Sequence, residues 1–171
     1  YQFETIHPFL DGNGRIGRLL ITLYLVDKGI LNQPVLYLSD YFERNRLLYY
    51  DNLMNVRTKN DLKQWFRFFL AGVLETAAKG IMTFDSILNL KSEIESRIQH
   101  SSNRSQSIFK VMDALYHKPV TNPVQAAEIA GVSTSTGYKI IDEMVEMNIL
   151  NEVTGGRRGK IYMYNQYISL F

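Results

Sequence analysis

A histidine, a carboxylate, a Gly-Asn-Gly turn and two arginines share one short frame, His7-Pro8-Phe9-Leu10-Asp11-Gly12-Asn13-Gly14-Arg15-Ile16-Gly17-Arg18. These residue types suit a nucleotide's phosphates, a divalent cation and a proton to be moved. Glycines entering a helix let the backbone curl into an anion-holding nest, and the helix adds about half a positive charge there. Arg15 and Arg18 are three apart, so both can reach one polyphosphate. Two cations at a helix N-terminus oppose the helix dipole and each other, a cost that an anionic ligand explains. Asp11 just ahead of the nest would repel phosphate unless a cation lay between them. Mg²⁺ shared by one carboxylate and phosphate oxygens is the usual solution. A neutral His7 on the same loop suits a general base that takes a proton from an incoming hydroxyl. Pro8 stiffens the loop, and Phe9 is expected to anchor it in the core.

Each residue alone has a plainer account. A lone histidine is more often a hydrogen-bonded loop residue, and a lone aspartate before a helix is often a cap. Glycines before helices are common turns, and two arginines on a helix usually form a solvated face. The combination in one frame is what favours a phosphate, metal and proton site.

The elements that must position this frame can be read from hydrophobic period. The chain of 171 residues is 46% hydrophobic, enough for one domain or two small ones. Its 19 basic and 17 acidic residues nearly cancel, so no global field points to nucleic acid or membrane. It has no cysteine, which excludes disulfides and thiolate metal sites. No apolar run reaches the length of a membrane span and no signal peptide is visible, so a cytoplasmic location is expected. The chain opens on Tyr1 rather than Met and reads as a fragment of a longer protein.

Ile16, Leu19, Leu20, Leu23 and Tyr24 predict a helix from about Gly14 to Lys28, stopped by Gly29. Ser39 is placed to cap a second helix carrying Tyr41, Phe42, Leu47, Leu48, Tyr49 and Leu53. Asp61 and Gln64 have capping-box spacing ahead of a very long third helix, which holds Trp65 to Phe69 and runs on through Ile94 and Ile98. His100 to Ser105 reads as a linker. Beyond it lie a helix marked by Ile108, Val111, Met112 and Leu115, a break from Pro119 to Pro123, and a short helix over Val124–Ala130. A turn at Gly131-Val132-Ser133 leads into a helix from Thr134 to about Met147. Ile149–Val153 and Lys160–Tyr164 alternate as two strands around a hairpin from Thr154 to Gly159. A helix, a helix-turn-helix and a two-stranded wing follow in the order of a winged helix.

The first frame resembles the signature of the Fic family, His-x-Phe-x-(Asp/Glu)-Gly-Asn-Gly-Arg-x-x-Arg, at every defined position. The likeness continues through Asn45-Arg46-x-x-Tyr49-Tyr50 and the aromatic run from Trp65 to Phe69, about half of the chain. The fold it implies is mainly α: the C-terminal part of a Fic-type helical core over residues 1–85, a connecting helix or linker over 86–104, and a small α+β winged helix-turn-helix domain over 105–171. The activity it implies is that of a bacterial nucleotidyltransferase, AMPylation of a Tyr, Thr or Ser hydroxyl on a target protein from ATP. His7 would then deprotonate the hydroxyl and Asp11 would hold Mg²⁺. Gly12, Asn13 and Gly14 would cradle the phosphates with Arg15 beside them, and Arg18 would take the γ-phosphate. Tyr49 and Tyr50 match an aromatic pair near the adenine, although alone they read as packing tyrosines. The family's core also needs upstream helices, a β-hairpin flap that registers the target by strand addition, and in many members an inhibitory segment. None of these is in the sequence, so this length of chain is expected to be weakly active or inactive alone.

In the second half, Ser133, Thr134, Ser135, Thr136, Tyr138 and Lys139 lead the second helix of the helix-turn-helix, and Arg157, Arg158 and Lys160 sit on the wing. Those are places where such folds contact DNA bases and phosphates. Asp142, Glu143 and Glu146 on the same helix suit a phosphate backbone badly, and the unit lacks a basic excess. A protein partner or a second copy of the chain is an equal expectation. Two other readings stay open, a nucleotide-sensing DNA-binding regulator and a toxin–antitoxin component. A catalytic histidine argues against the first, because sensing needs no base.

Overall fold

The computed structural model describes residues 1–101, 103–156 and 159–171, with Ser101 in its backbone alone. The chain is mainly helical, 71% helix against 4% strand, as its hydrophobic period requires. It divides into two units, Tyr1–Met82 and Thr83–Phe171. Among the described residues no helix is long and apolar enough to cross a membrane.

In the first unit, a short helix α1 (Gln2–Ile6) leads into the loop that carries the frame, and α2 runs Asn13–Asp27. Gly12 is the residue that starts α2, at φ 81°, a left-handed conformation that only glycine adopts without strain. The buried Thr22 hydroxyl donates to the Leu36 carbonyl at 2.9 Å and ties the middle of α2 to the connector that follows it. The single second helix expected from sequence is two, α3 (Leu38–Arg44) and α4 (Arg46–Lys59). They part at Asn45, at φ −109° and ψ 34°, whose backbone and side-chain amides both donate to the Tyr41 carbonyl, at 3.0 and 2.9 Å. Ser39 does not cap. The helix starts one residue earlier, where burial of Leu38 fixes the chain, and the residue at its N-terminus, Tyr37, makes no side-chain cap bond.

The long helix α5 (Leu62–Ser101) begins as expected at Asp61, whose carboxylate accepts from the Gln64 amide at 3.0 Å. The reciprocal half of the box is absent, because the Gln64 side chain accepts from Asn55 instead. Leu36, Leu38, Tyr41, Phe42, Tyr49, Val56 and Trp65 form the core of this unit. The ring of Phe42 lies 4.9 Å from that of Tyr49 and 5.9 Å from that of Phe68, so the core is held mainly by aromatic packing.

The second unit takes the end of α5, then α6 (Ser105–His117), α7 (Pro123–Ala130), α8 (Thr134–Glu146) and a terminal turn of helix, α9 (Asn165–Ile168). Ile94 and Ile98, from the stretch that sequence suggests as a connector, are fully buried in its core with Ile108, Val111, Ile140, Ile141 and Tyr164. Instead of ending at a linker from His100, α5 continues to Ser101, and α6 starts at Ser105. Asn122 caps α7 by accepting from the amides of Val124 and Gln125 at 3.0 Å, with Pro123 at the first helical position. Gly131 turns the chain at φ 72°, and Ser133 caps α8.

Among the described residues the sheet has three antiparallel strands in the order β1 (Val120–Thr121), β3 (Tyr162–Met163), β2 (Asn151–Glu152). Two of them fall inside the strands expected from sequence but are shorter, because fully buried Ile149 and Leu150 join the core before the ladder begins. The third comes from the Pro119–Pro123 segment, where only a break was expected. The prolines flank a two-residue strand whose Val120 and Thr121 pair with Met163 and Tyr162.

Candidate functional site

The loop from His7 to Gly12 is shaped by one buried side chain. Asn13, 2% exposed, turns inward. Its Oδ1 accepts from the Phe9 amide at 2.9 Å and its Nδ2 donates to the Phe9 carbonyl at 2.6 Å. This two-point clasp fixes the loop against the start of α2. The side chain is therefore structural, and what Asn13 and Gly14 offer a ligand is backbone. The first-turn amides of an α-helix have no acceptor within the helix, and here no carboxylate of that turn competes for them. Phe9 is less of an anchor than expected. It is 48% exposed and touches Phe3, with ring centroids 6.4 Å apart.

Both arginines fold back toward that end of α2, the direction in which helical side chains lean. The Arg15 Nη2 stands 3.3 Å from the Asp11 Oδ2 and 3.6 Å from where a Cβ on Gly12 would be. The Arg18 Nη1 reaches to 3.3 Å from the corresponding point on Gly14. The structure thus gathers Asp11, Gly12, Gly14, Arg15 and Arg18 around one helix terminus. Asp11 is 93% exposed and Arg15 76%, so their ion pair is weakly held and open to exchange with a ligand.

His7 ends α1 in a left-handed conformation, φ 50° and ψ 58°, with its amide on the Phe3 carbonyl at 3.0 Å. Its side chain is exposed on the loop that leads to Asp11. A non-glycine residue at positive φ is uncommon, and here the geometry turns the chain out of α1 into the frame.

No group of three or more metal-binding side chains occurs among the described residues. Asp11 supplies one hard oxygen ligand, accessible and next to the helix terminus. That donor set fits a Mg²⁺ ion shared with phosphate oxygens and would not hold one alone.

Tyr49 and Tyr50 separate. Tyr49 is 7% exposed and its ring is enclosed by Phe42 and Trp65, so it presents no free face to a base. Burial first, and the Glu4 carboxylate second, push its hydroxyl up to about 12, with the Arg18 charge opposing them. Tyr50 is 54% exposed, with the Arg46 guanidinium over its ring at 5.8 Å.

One residue at this site escapes the sequence reading. Glu4, on α1, buries its Oε1 without a hydrogen-bond partner, and so does Arg18 its Nε. The same Oε1 lies 2.7 Å from where a Cβ on Gly17 would stand. The sequence signal was the pair Gly14 and Gly17, a bare strip on one side of α2 that another group must fill.

In the second unit, Ser133, Thr134, Ser135, Tyr138 and Lys139 are exposed at the start of α8, and Thr136 is half-buried. Part of their hydroxyl inventory is used internally. The Ser133 Oγ accepts from the Thr136 amide and lies 3.0 and 2.9 Å from the hydroxyls of Ser135 and Thr136. Lys160 donates to the Glu152 Oε2 at 2.8 Å, which raises its pKa and offsets its charge. Arg157 and Arg158 lie outside the described residues. Asp142 and Glu146 are exposed on α8.

Comparison with known proteins bears on the first unit. A 30-residue segment is 63% identical to the probable protein adenylyltransferase aq_aa38 of Aquifex aeolicus (strain VF5), covering 18% of this chain and 9% of that protein. The match thus spans less than a tenth of the relative's length. Residues 1–25, which hold the whole frame, match the model of the Fic/DOC family.

Proposed function

We propose that this chain is part of a Fic-type protein adenylyltransferase. The observation that carries the reading is the helix terminus at Gly12. There a fixed loop, free first-turn amides, two back-folded arginines and an exposed carboxylate converge on space suited to a polyphosphate. His7 stands on the same loop, where a hydroxyl approaching the α-phosphorus would pass.

In this reading the first-turn amides of α2 hold phosphate oxygens, with Arg15 beside them and Arg18 at the γ-phosphate. Asp11 would be the protein ligand of a Mg²⁺ ion, which would neutralise phosphate charge there. His7 takes the proton of a Tyr, Thr or Ser hydroxyl on the target protein. The oxygen bonds to the α-phosphorus, the bond from that phosphorus to the bridging oxygen breaks, and pyrophosphate leaves. When the nucleotide binds, Arg15 exchanges Asp11 for phosphate. The Asn13 clasp keeps the loop in place meanwhile, which limits reorganisation.

The second unit is consistent with a winged helix-turn-helix, with α7 and α8 as the helix pair and β2 and β3 as the wing. Binding to random duplex DNA that weakens with salt would assign it to nucleic acid. No binding at low salt assigns it to a protein partner or a second copy.

The test of the transfer reaction is incubation of the full-length protein with ATP labelled on the α-phosphate, Mg²⁺ and a cell extract. Labelled protein is expected, and it should vanish with His7→Ala. Transfer that survives that substitution refutes the role of His7.

A further inference from the structure

We infer that Glu4 is a positioning residue that sets the guanidinium of Arg18 for the terminal phosphate. The inference rests on the adenylyl-transfer reading and adds to it a residue that lies outside the frame.

Three observations carry it. Glu4 and Arg18 converge on the same bare strip of α2. A Cβ on Gly14 would stand 3.3 Å from the Arg18 Nη1 and 3.8 Å from the Glu4 Oε1. On Gly17 it would stand 2.7 Å from that Oε1 and 3.0 Å from the Phe3 Cδ1, so a larger residue there would push the Glu4 carboxylate aside. Each of the two also buries a polar atom that no protein group satisfies, the Glu4 Oε1 and the Arg18 Nε. A buried carboxylate oxygen without a partner is costly, and pure packing is better served by an apolar side chain. The Arg18 guanidinium flanks the same point on Gly14 and offsets this cost through its field, without a direct ion pair. Finally, the charges of both groups act on the Tyr49 hydroxyl with opposite sign, so both lie within electrostatic reach of it.

The consequence is directional. Arg18 leans back one turn toward the free amides of α2, with the Glu4 carboxylate beside it and Tyr49 near both. A guanidinium set in this way loses less freedom when it meets a phosphate. A carboxylate that merely competed for Arg18 would have the reverse effect, and its removal would strengthen phosphate binding.

Glu4→Gln keeps shape and removes charge. Glu4→Met, which keeps length without polar atoms, is a second variant should the first fail to fold. The affinities of MgATP and MgADP are measured by calorimetry on the full-length protein as wild type, both variants, Arg18→Gln and the double variant, with melting temperature in parallel. The expected result is about tenfold weaker MgATP binding, equivalent to about 1.4 kcal/mol, with MgADP binding unchanged. In the Arg18→Gln background the Glu4 substitution should add nothing. The inference is overturned if MgATP binding is unchanged or tighter, if both nucleotides weaken alike, or if the two substitutions add in full. Wild type that transfers AMP while Glu4→Gln binds MgATP normally defeats the positioning role alone. Wild type that binds no nucleotide defeats the adenylyl-transfer reading and this inference with it.

Discussion

Replacing Asn13 by alanine removes both bonds of the clasp to Phe9, at 2.9 and 2.6 Å, and leaves the Phe9 amide and carbonyl to partly available water. A net contribution of roughly 1 kcal/mol per bond gives a loss of about 2 kcal/mol for the first unit. In a unit of the size of Tyr1–Met82 that corresponds to roughly 8–16 °C in melting temperature. Asn13→Asp is the sharper probe, because it keeps the acceptor for the Phe9 amide and sets a second oxygen against the Phe9 carbonyl. The positive end of α2 returns some of that cost, roughly 0.3–1 kcal/mol, so aspartate should fall between asparagine and alanine. Trp65, the chain's one tryptophan, sits in the core of the first unit at 9% exposure, so its fluorescence in urea follows that unit separately. MgATP affinity should fall with stability, since the loop presents Asp11. An Asn13→Ala midpoint within about 0.5 kcal/mol of wild type would refute the clasp, as would an aspartate variant less stable than alanine.

Asp11→Ala should leave melting unchanged, because an exposed ion pair contributes little, while abolishing Mg²⁺-dependent transfer. A large thermal shift would show that Asp11 holds the loop instead. Gly137→Ala should destabilise the second unit by about 1–3 kcal/mol, more than the roughly 1 kcal/mol helix-propensity gain returns, as seen by thermal denaturation. The reason is a Cβ that would stand 2.3 Å from the Pro123 carbonyl oxygen and 2.7 Å from the Ala127 Cβ, with little room for either to move. Alkaline titration should expose Tyr49. Its hydroxyl ionises near 10 in the unfolded chain and near 12 when folded, so the folded state keeps the proton between those values. Stability from this group is full below pH 10 and is lost as pH rises toward 12, and Tyr49→Phe should flatten that decline in urea midpoints.

What could be read in the sequence was what depends on local period and glycine chemistry. The start of α2 within the Gly-Asn-Gly turn, its stop before Gly29 and the Asp61 cap are each written in a few adjacent residues. The Asn45 break was hidden because the apolar spacing runs straight through it, and it consists of one residue's backbone leaving helical angles, at φ −109° and ψ 34°. β1 was hidden because a two-residue strand in the short segment between prolines carries no period, and it exists only by pairing with β3. At the site, the residue types around the helix terminus were legible, but their division of labour was not. Nothing in the spacing says that Asn13 faces the loop, that Tyr49 faces the core, or that Glu4 reaches across α2 to the side of Arg18. Those depend on which way a side chain turns, which is decided by packing between elements.

The Asn13 clasp also protects a chemically fragile bond. Asn13 precedes Gly14, and in such a pair the glycine nitrogen, unhindered by a neighbouring side chain, attacks the asparagine amide carbon and expels ammonia. With Asn13 in helical backbone and both its amide atoms held by Phe9, that attack has no trajectory. Each opening of the loop lifts the protection. Succinimide formed at this position, and the aspartate or isoaspartate it becomes, would therefore accumulate with the time the loop spends open. The same residue that shapes the site would leave a chemical record of its ageing.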